Sequence, residues 1–251
     1  GGQWQRNKIY RNWVGFKLDK SGWFSIGGGN PSDGNHIYSN YEAIAIESQA
    51  FGSIKNNIIE SFRANDWPYH DFVWGDHGSV GVHTSGHYTT SFVQNNIFRG
   101  LNTVFYVTQG SNFGEDMFSD NEIVNCSTGV YVTGVDSHAW IKNNKFHELT
   151  GTGAILLDES GMATVTFNEI ESNTAGITIR TSGEALIYDN VFLNNRSYAI
   201  SMDGGAADVL RNTIRSAGYE HAKGILIRDI KRRRAPYGHS PTWQDTLRIE
   251  N

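Results

Sequence analysis

Four of the nine histidines, His70, His77, His83 and His87, fall within 18 residues of the 251-residue chain. The same region concentrates Arg63, Trp67, Tyr69, Asp71, Trp74 and Asp76. An imidazole can take a proton near neutral pH, and a phenol can give one. Two carboxylates such as Asp71 and Asp76 can run glycoside hydrolysis, one protonated and one charged. The same acids could hold Ca2+ through oxygen, and the histidines could hold Zn2+ through nitrogen. The usual calcium-loop pattern is absent, and adjacent His and Asp residues are not a metal motif by themselves. We expect no metal and no cofactor, with Ca2+ the nearest candidate.

These residues interrupt a repeat. A short asparagine phrase recurs, as in KNNII at 55–59, QNNIF at 94–98 and FNEIE at 167–171. Its aligned asparagines are Asn7, Asn35, Asn57, Asn96, Asn121, Asn144, Asn168, Asn190 and Asn212. The gaps between them are 28, 22, 39, 25, 23, 24, 22 and 22, the signature of a solenoid. After the asparagines comes Gly or Ala followed by apolar–x–apolar, as in GVYV at 129–132 and GITI at 176–179, with VFYV at 104–107 the same phrase without the Gly. Strict alternation over such short runs predicts strands with one face buried. One column of interior residues should then be Ile44, Val82, Phe105, Val130, Ile155, Ile177, Ile200 and Ile225. Stacked coils place each asparagine above the last, where its amide can bond its neighbour and cap a tight bend.

Composition agrees. Gly is frequent at 28 and Pro scarce at 4, which suits many tight turns between short strands. Mean hydropathy is -0.44 and net charge -5, so no global field favours nucleic acid or a membrane surface. No apolar run is long enough to span a bilayer. Without a signal-peptide pattern at the start, the chain reads as a mature protein or a cut domain. The single cysteine, Cys126, excludes a disulfide framework and thiolate clusters, and is expected to be a small buried hydrophobe.

The nine N-x-I/F phrases and the G-I-x-I strands resemble the right-handed parallel β-helix proteins, the pectate-lyase-like superfamily. The resemblance covers roughly residues 4–230. It implies an all-β parallel β-helix of about nine coils and a polysaccharide-active branch, with the outer face of the G-I-x-I sheet as the substrate groove. The domain reading is a β-helix over 1–230 and a covering segment over 231–251, where Arg232, Arg233 and Arg234 read as a solvated charge run. Residue 1 already sits inside a coil, so an N-terminal extension, partner or oligomer should cover that end. Two patterns of this fold are missing: the D-P-H of the mannuronan epimerases, and the full motif set of the pectin hydrolases.

The long gap between Asn57 and Asn96 leaves about 16 residues beyond a normal coil. They leave an asparagine-side strand and lead into the strand that carries His83. The outward residues of the successive triplets are Lys17, Ala45, His83, Tyr106, Tyr131, Leu156, Thr178, Ser201 and Leu226. Further along these strands stand Asp158, Arg180, Asp203 and Arg228, which read as a salt-bridge ladder.

A uronate β-elimination needs a base for the proton beside the carboxylate, an acid for the leaving oxygen, and a group that neutralises the carboxylate. His83, Tyr106 and Tyr131 fit the first two roles; Lys17 or Arg63 fits the third. The competing set is Asp71, Asp76 and His77 in hydrolysis. Trp67, Tyr69, Trp74, His70 and His87 would bind sugar. The sequence is therefore read as a secreted or cell-surface protein acting on an acidic polysaccharide, a lyase first and a glycoside hydrolase second. A non-catalytic binding, adhesion or tailspike module is the third reading.

Overall fold

The computed structural model describes residues 2–20, 22–47, 50–61, 79–86, 90–108, 116–135, 137–216, 218, 222–228 and 247–250. Each coil contributes one strand to each of three parallel sheets of ten, nine and nine strands. Sheet 1 holds strands that run up to the ladder asparagine, such as His138–Lys142. Sheet 2 holds the three-residue strands after it, such as Lys145–His147. Sheet 3 holds the G-I-x-I strands, such as Thr128–Thr133. Among the described residues the only helical element is a single 3-10 turn at Pro31–Asp33, and no helix is long and apolar enough to cross a membrane.

Parallel strands stacked in register put residues of one type above one another, and the expected columns form. Ile44, Val82, Phe105, Val130, Ile155, Ile177, Ile200 and Ile225 pair rung by rung. Sheet 2 contributes a second inward column that includes Phe98, Ile123, Phe146, Ile170 and Phe192, each with no exposed surface. The interior is therefore a continuous apolar stack, with Phe105 and Phe118 facing each other at 5.0 Å.

Asparagines turn the corner between sheets 1 and 2. From Asn7 to Asn212, each Nδ2 donates to the Oδ1 of the next. The backbone N–H of each donates to the same oxygen. Asn35, Asn57, Asn96, Asn121, Asn144, Asn168 and Asn190 are buried. Burying so many amides is tolerable only because each is satisfied along the stack.

The glycine of the G-I-x-I phrase has a separate cause. A Cβ on Gly176 would stand 2.2 Å from the carbonyl oxygen of Ala199, and one on Gly129 would stand 2.7 Å from that of Ala154. The next coil passes too close for a side chain.

Cys126 sits at the corner between sheets 2 and 3, between Glu122–Val124 and Thr128–Thr133. Its sulfur accepts the Leu101 N–H at 3.4 Å and faces the Val124 carbonyl at 3.4 Å. It is 1% exposed, and burial pushes its thiol up to about 12, as expected of a structural residue.

The salt-bridge ladder expected in the later coils does not form among the described residues. Arg180, Asp203 and Arg228 do align on neighbouring strands. None of the six ion pairs among the described residues joins them, or Asp158, into a ladder. Exposed charges on long side chains gain little from closing such contacts. Near the C-terminus, Leu247–Glu250 pairs in parallel with Ala207–Leu210 as the tenth strand of sheet 1. Residues 229–246, including Arg232, Arg233 and Arg234, lie outside the described residues.

Candidate functional site

The outward row of sheet 3 stands in the expected register, Lys17–Ala45–His83–Tyr106–Tyr131–Leu156. Strands about 4.8 Å apart hold planar side chains at stacking distance. His83 and Tyr106 stack at 4.9 Å and 22°, and Tyr106 and Tyr131 at 5.1 Å and 19°. Rings stacked in this way turn their faces to one another. A ligand lying on the sheet meets their edges: an imidazole and two phenols in a line.

His83 is held at both nitrogens. Its Nδ1 lies 3.2 Å from Oε1 of Glu42, and its Nε2 lies 3.1 Å from the Thr108 hydroxyl. Glu42 thus favours a proton on Nδ1 and a lone pair on Nε2. Thr108 can fill that lone pair or turn toward the Thr84 carbonyl, 3.5 Å away. Tyr106 and Tyr131 are half-buried. Burial is the largest effect raising both phenols above their ordinary value; around Tyr106 the neighbouring Tyr131 and Glu159 add to it. At Tyr131, Asp158 and Glu159 add to it, while a hydrogen bond to Thr133 and the charge of Arg180 act against it. Both phenols therefore stay protonated across the neutral range and can donate.

Lys17 stands in this row but apart from the stacked rings. Two rungs separate it from His83, about 10 Å, with the small Ala45 between. Its ammonium pairs with Glu47 at 3.0 Å, and that hydrogen bond is the main cause of its raised pKa. Arg63, Trp67, Tyr69, His70, Asp71, Trp74, Asp76, His77 and His87 lie outside the described residues. The strands flanking the long insertion, Ile58–Glu60 and Val80–Ser85, belong to sheets 2 and 3 as read from the repeat.

Glu42 and Thr108 escaped the sequence reading. Glu42 is 41 residues from His83 and Thr108 is 25. Only the coil register brings either to the ring. A signal was present in the repeat: both residues lie on the strands that flank the His83 strand in the stack.

The model of the family described as periplasmic copper-binding protein (NosD) matches residues 2–227. A mannuronan C5-epimerase of Pseudomonas putida is 32% identical over 124 residues, which are 48% of this chain and 21% of that protein. The chain thus spans about a fifth of the length of that curated relative. A structure of the periplasmic alginate epimerase AlgG covers 97% of this chain and 76% of that one, at 13% identity and a TM-score of 0.41. A point mutant of the same enzyme covers 82% and 61%, at 16% identity and a TM-score of 0.42.

A copper ion needs several convergent nitrogen or sulfur donors. Among the described residues no group of three or more His, Cys, Asp or Glu side chains could hold a metal. His36, His83 and His147 each meet a single carboxylate. The described residues do not fit a copper centre.

Proposed function

The chain belongs to the NosD family, and on that premise we propose an extracytoplasmic β-helix that works on a uronate polysaccharide by chemistry at the C5 proton. The observation that carries the reading is the stacked edge His83–Tyr106–Tyr131 on the outer face of sheet 3. Epimerisation and β-elimination share their first step. A base removes the proton from C5, and the electron pair moves into the carboxylate. Return of a proton to the opposite face inverts C5. Expulsion of the C4 oxygen, protonated by an acid, leaves a C4–C5 double bond.

His83 suits the base once Thr108 turns to the Thr84 carbonyl and frees Nε2. Tyr106, on the same side as His83, suits the acid for the C4 oxygen in elimination, because burial keeps its phenol protonated; in epimerisation the proton returned to the opposite face comes from solvent. The carboxylate falls to Lys17, which is 57% exposed beside Glu47, or to Arg63. Epimerisation is the first reading, supported by the 32% identity to a mannuronan C5-epimerase over 124 residues. Elimination is the second. It is favoured by a column that offers base and acid from one side of the sugar.

The test is incubation with polymannuronate and with polygalacturonate in D2O. Deuterium at C5 without ultraviolet absorbance supports epimerisation, and a conjugated double bond supports elimination. New reducing ends without that chromophore would replace both with hydrolysis. Polymer retention with none of these changes would leave a binding module.

A further inference from the structure

A second feature stands on a different sheet. The residue before most ladder asparagines has a left-handed backbone: Arg6, Asn56, Asn95, Asp120, Asn143, Phe167, Asp189 and Arg211. Asn and Asp tolerate that conformation because their short polar side chains bond locally. Phe167 has no such recourse. It holds φ at 56° with its ring 53% exposed. A large apolar side chain in this region is an outlier, and such outliers cluster where a surface does work.

Its neighbours say what work. The Lys142 ammonium sits 6.0 Å from the centre of the Phe167 ring. None of the six ion pairs among the described residues involves Lys142. Ring and cation face an open groove of about 390 Å3, also lined by Gln94, Ser119, Asp120 and Asn143. The Asp120 carboxylate accepts from the Asn143 amide and remains the groove's anion, and Lys142 is the one cation of its lining, the group that can meet a carboxylate. A groove of this size is at the small end of ligand sites.

We infer that this groove is a second, non-catalytic subsite for one uronate unit. The C–H face of the sugar lies on Phe167, the carboxylate pairs with Lys142, and the Gln94 amide meets hydroxyl groups. The inference rests on the reading of the substrate as an acidic glycan. It does not depend on the His83 column, which lies on sheet 3. A subsite on sheet 1 holds the polymer while the other face works on it, which raises the effective concentration of neighbouring units.

The experiment is titration of a mannuronate hexamer, with a neutral mannose hexamer as control, into the full chain and its variants. Phe167→Asn restores the residue type common in the column. It should raise Tm while weakening the uronate complex about tenfold. Lys142→Gln should weaken it similarly and remove the preference over the neutral sugar. His83→Ala should keep the Phe167-dependent binding. Wild-type affinity in both Phe167→Asn and Lys142→Gln would overturn the subsite and leave the proposed activity standing. Equal affinity for both hexamers would overturn the role of Lys142. No binding of the uronate hexamer to the wild type would overturn the subsite and the acidic-glycan reading together.

Discussion

At His83 two contacts decide what the ring can offer. Glu42 meets Nδ1 and favours the tautomer protonated there, and Thr108 meets Nε2. His83→Ala and Tyr106→Phe should abolish turnover with little change in thermal unfolding, because both side chains are partly exposed and fill no cavity. Glu42→Gln should keep the fold and lower kcat by about 10- to 100-fold, the usual scale for losing a partner that orients a functional histidine. Full activity in Glu42→Gln would remove it from the positioning role. The phenols set a pH limit. Tyr106 and Tyr131 have raised values in the folded chain, so above pH about 10 the unfolded state loses protons that the folded state keeps. Stability should therefore fall as pH rises through that range, and Tyr106→Phe should flatten the fall in a pH series of urea melts.

The ladder and the close approaches act one coil at a time. Asn144 donates to the Phe118 and Lys142 carbonyls and to Asn168, and it accepts the Asn121 N–H. Asn144→Ala leaves buried partners unpaired and should cost about 3 kcal/mol. Asn7→Ala should cost well under 1 kcal/mol, because Asn7 is an exposed terminal member of the stack with an asparagine on one side only. Urea denaturation of the two variants compares these costs directly. Equal losses would mean that the ladder acts as one unit. The glycines of sheet 3 obey a steric rule instead. Gly176→Val drives a side chain into the Ala199 carbonyl, 2.2 Å from the added Cβ, and no rotamer relieves it.

As a whole the molecule is nearly one-dimensional. Each coil touches its neighbours, so stability is close to a sum of coil and interface contributions. Hydrogen exchange should therefore be slowest in the central coils, around Thr103–Thr108 and Thr128–Thr133, and faster toward Gly2–Trp4 and Lys223–Arg228. Uniform protection from end to end would contradict that picture. The rod also separates the two proposed sites. The His83 column lies on sheet 3 and the Phe167 groove on sheet 1, with the apolar stack between them.

Fold, register and the asparagine corner between sheets 1 and 2 were legible in the residues. The nine asparagines and the alternating triplets leave only one stacking that buries Ile, Val and Phe and satisfies every amide, since a slip of one residue would turn the core outward. The order Lys17, Ala45, His83, Tyr106, Tyr131 followed from the same rule. What the repeat cannot encode is contact between side chains from different coils. Glu42 reaches His83 across 41 residues, Lys17 turns to Glu47 instead of toward the column, and Lys142 comes to lie over Phe167. Those pairings depend on side-chain rotamers and on which chain segments the coils bring side by side, and only the folded molecule decides them.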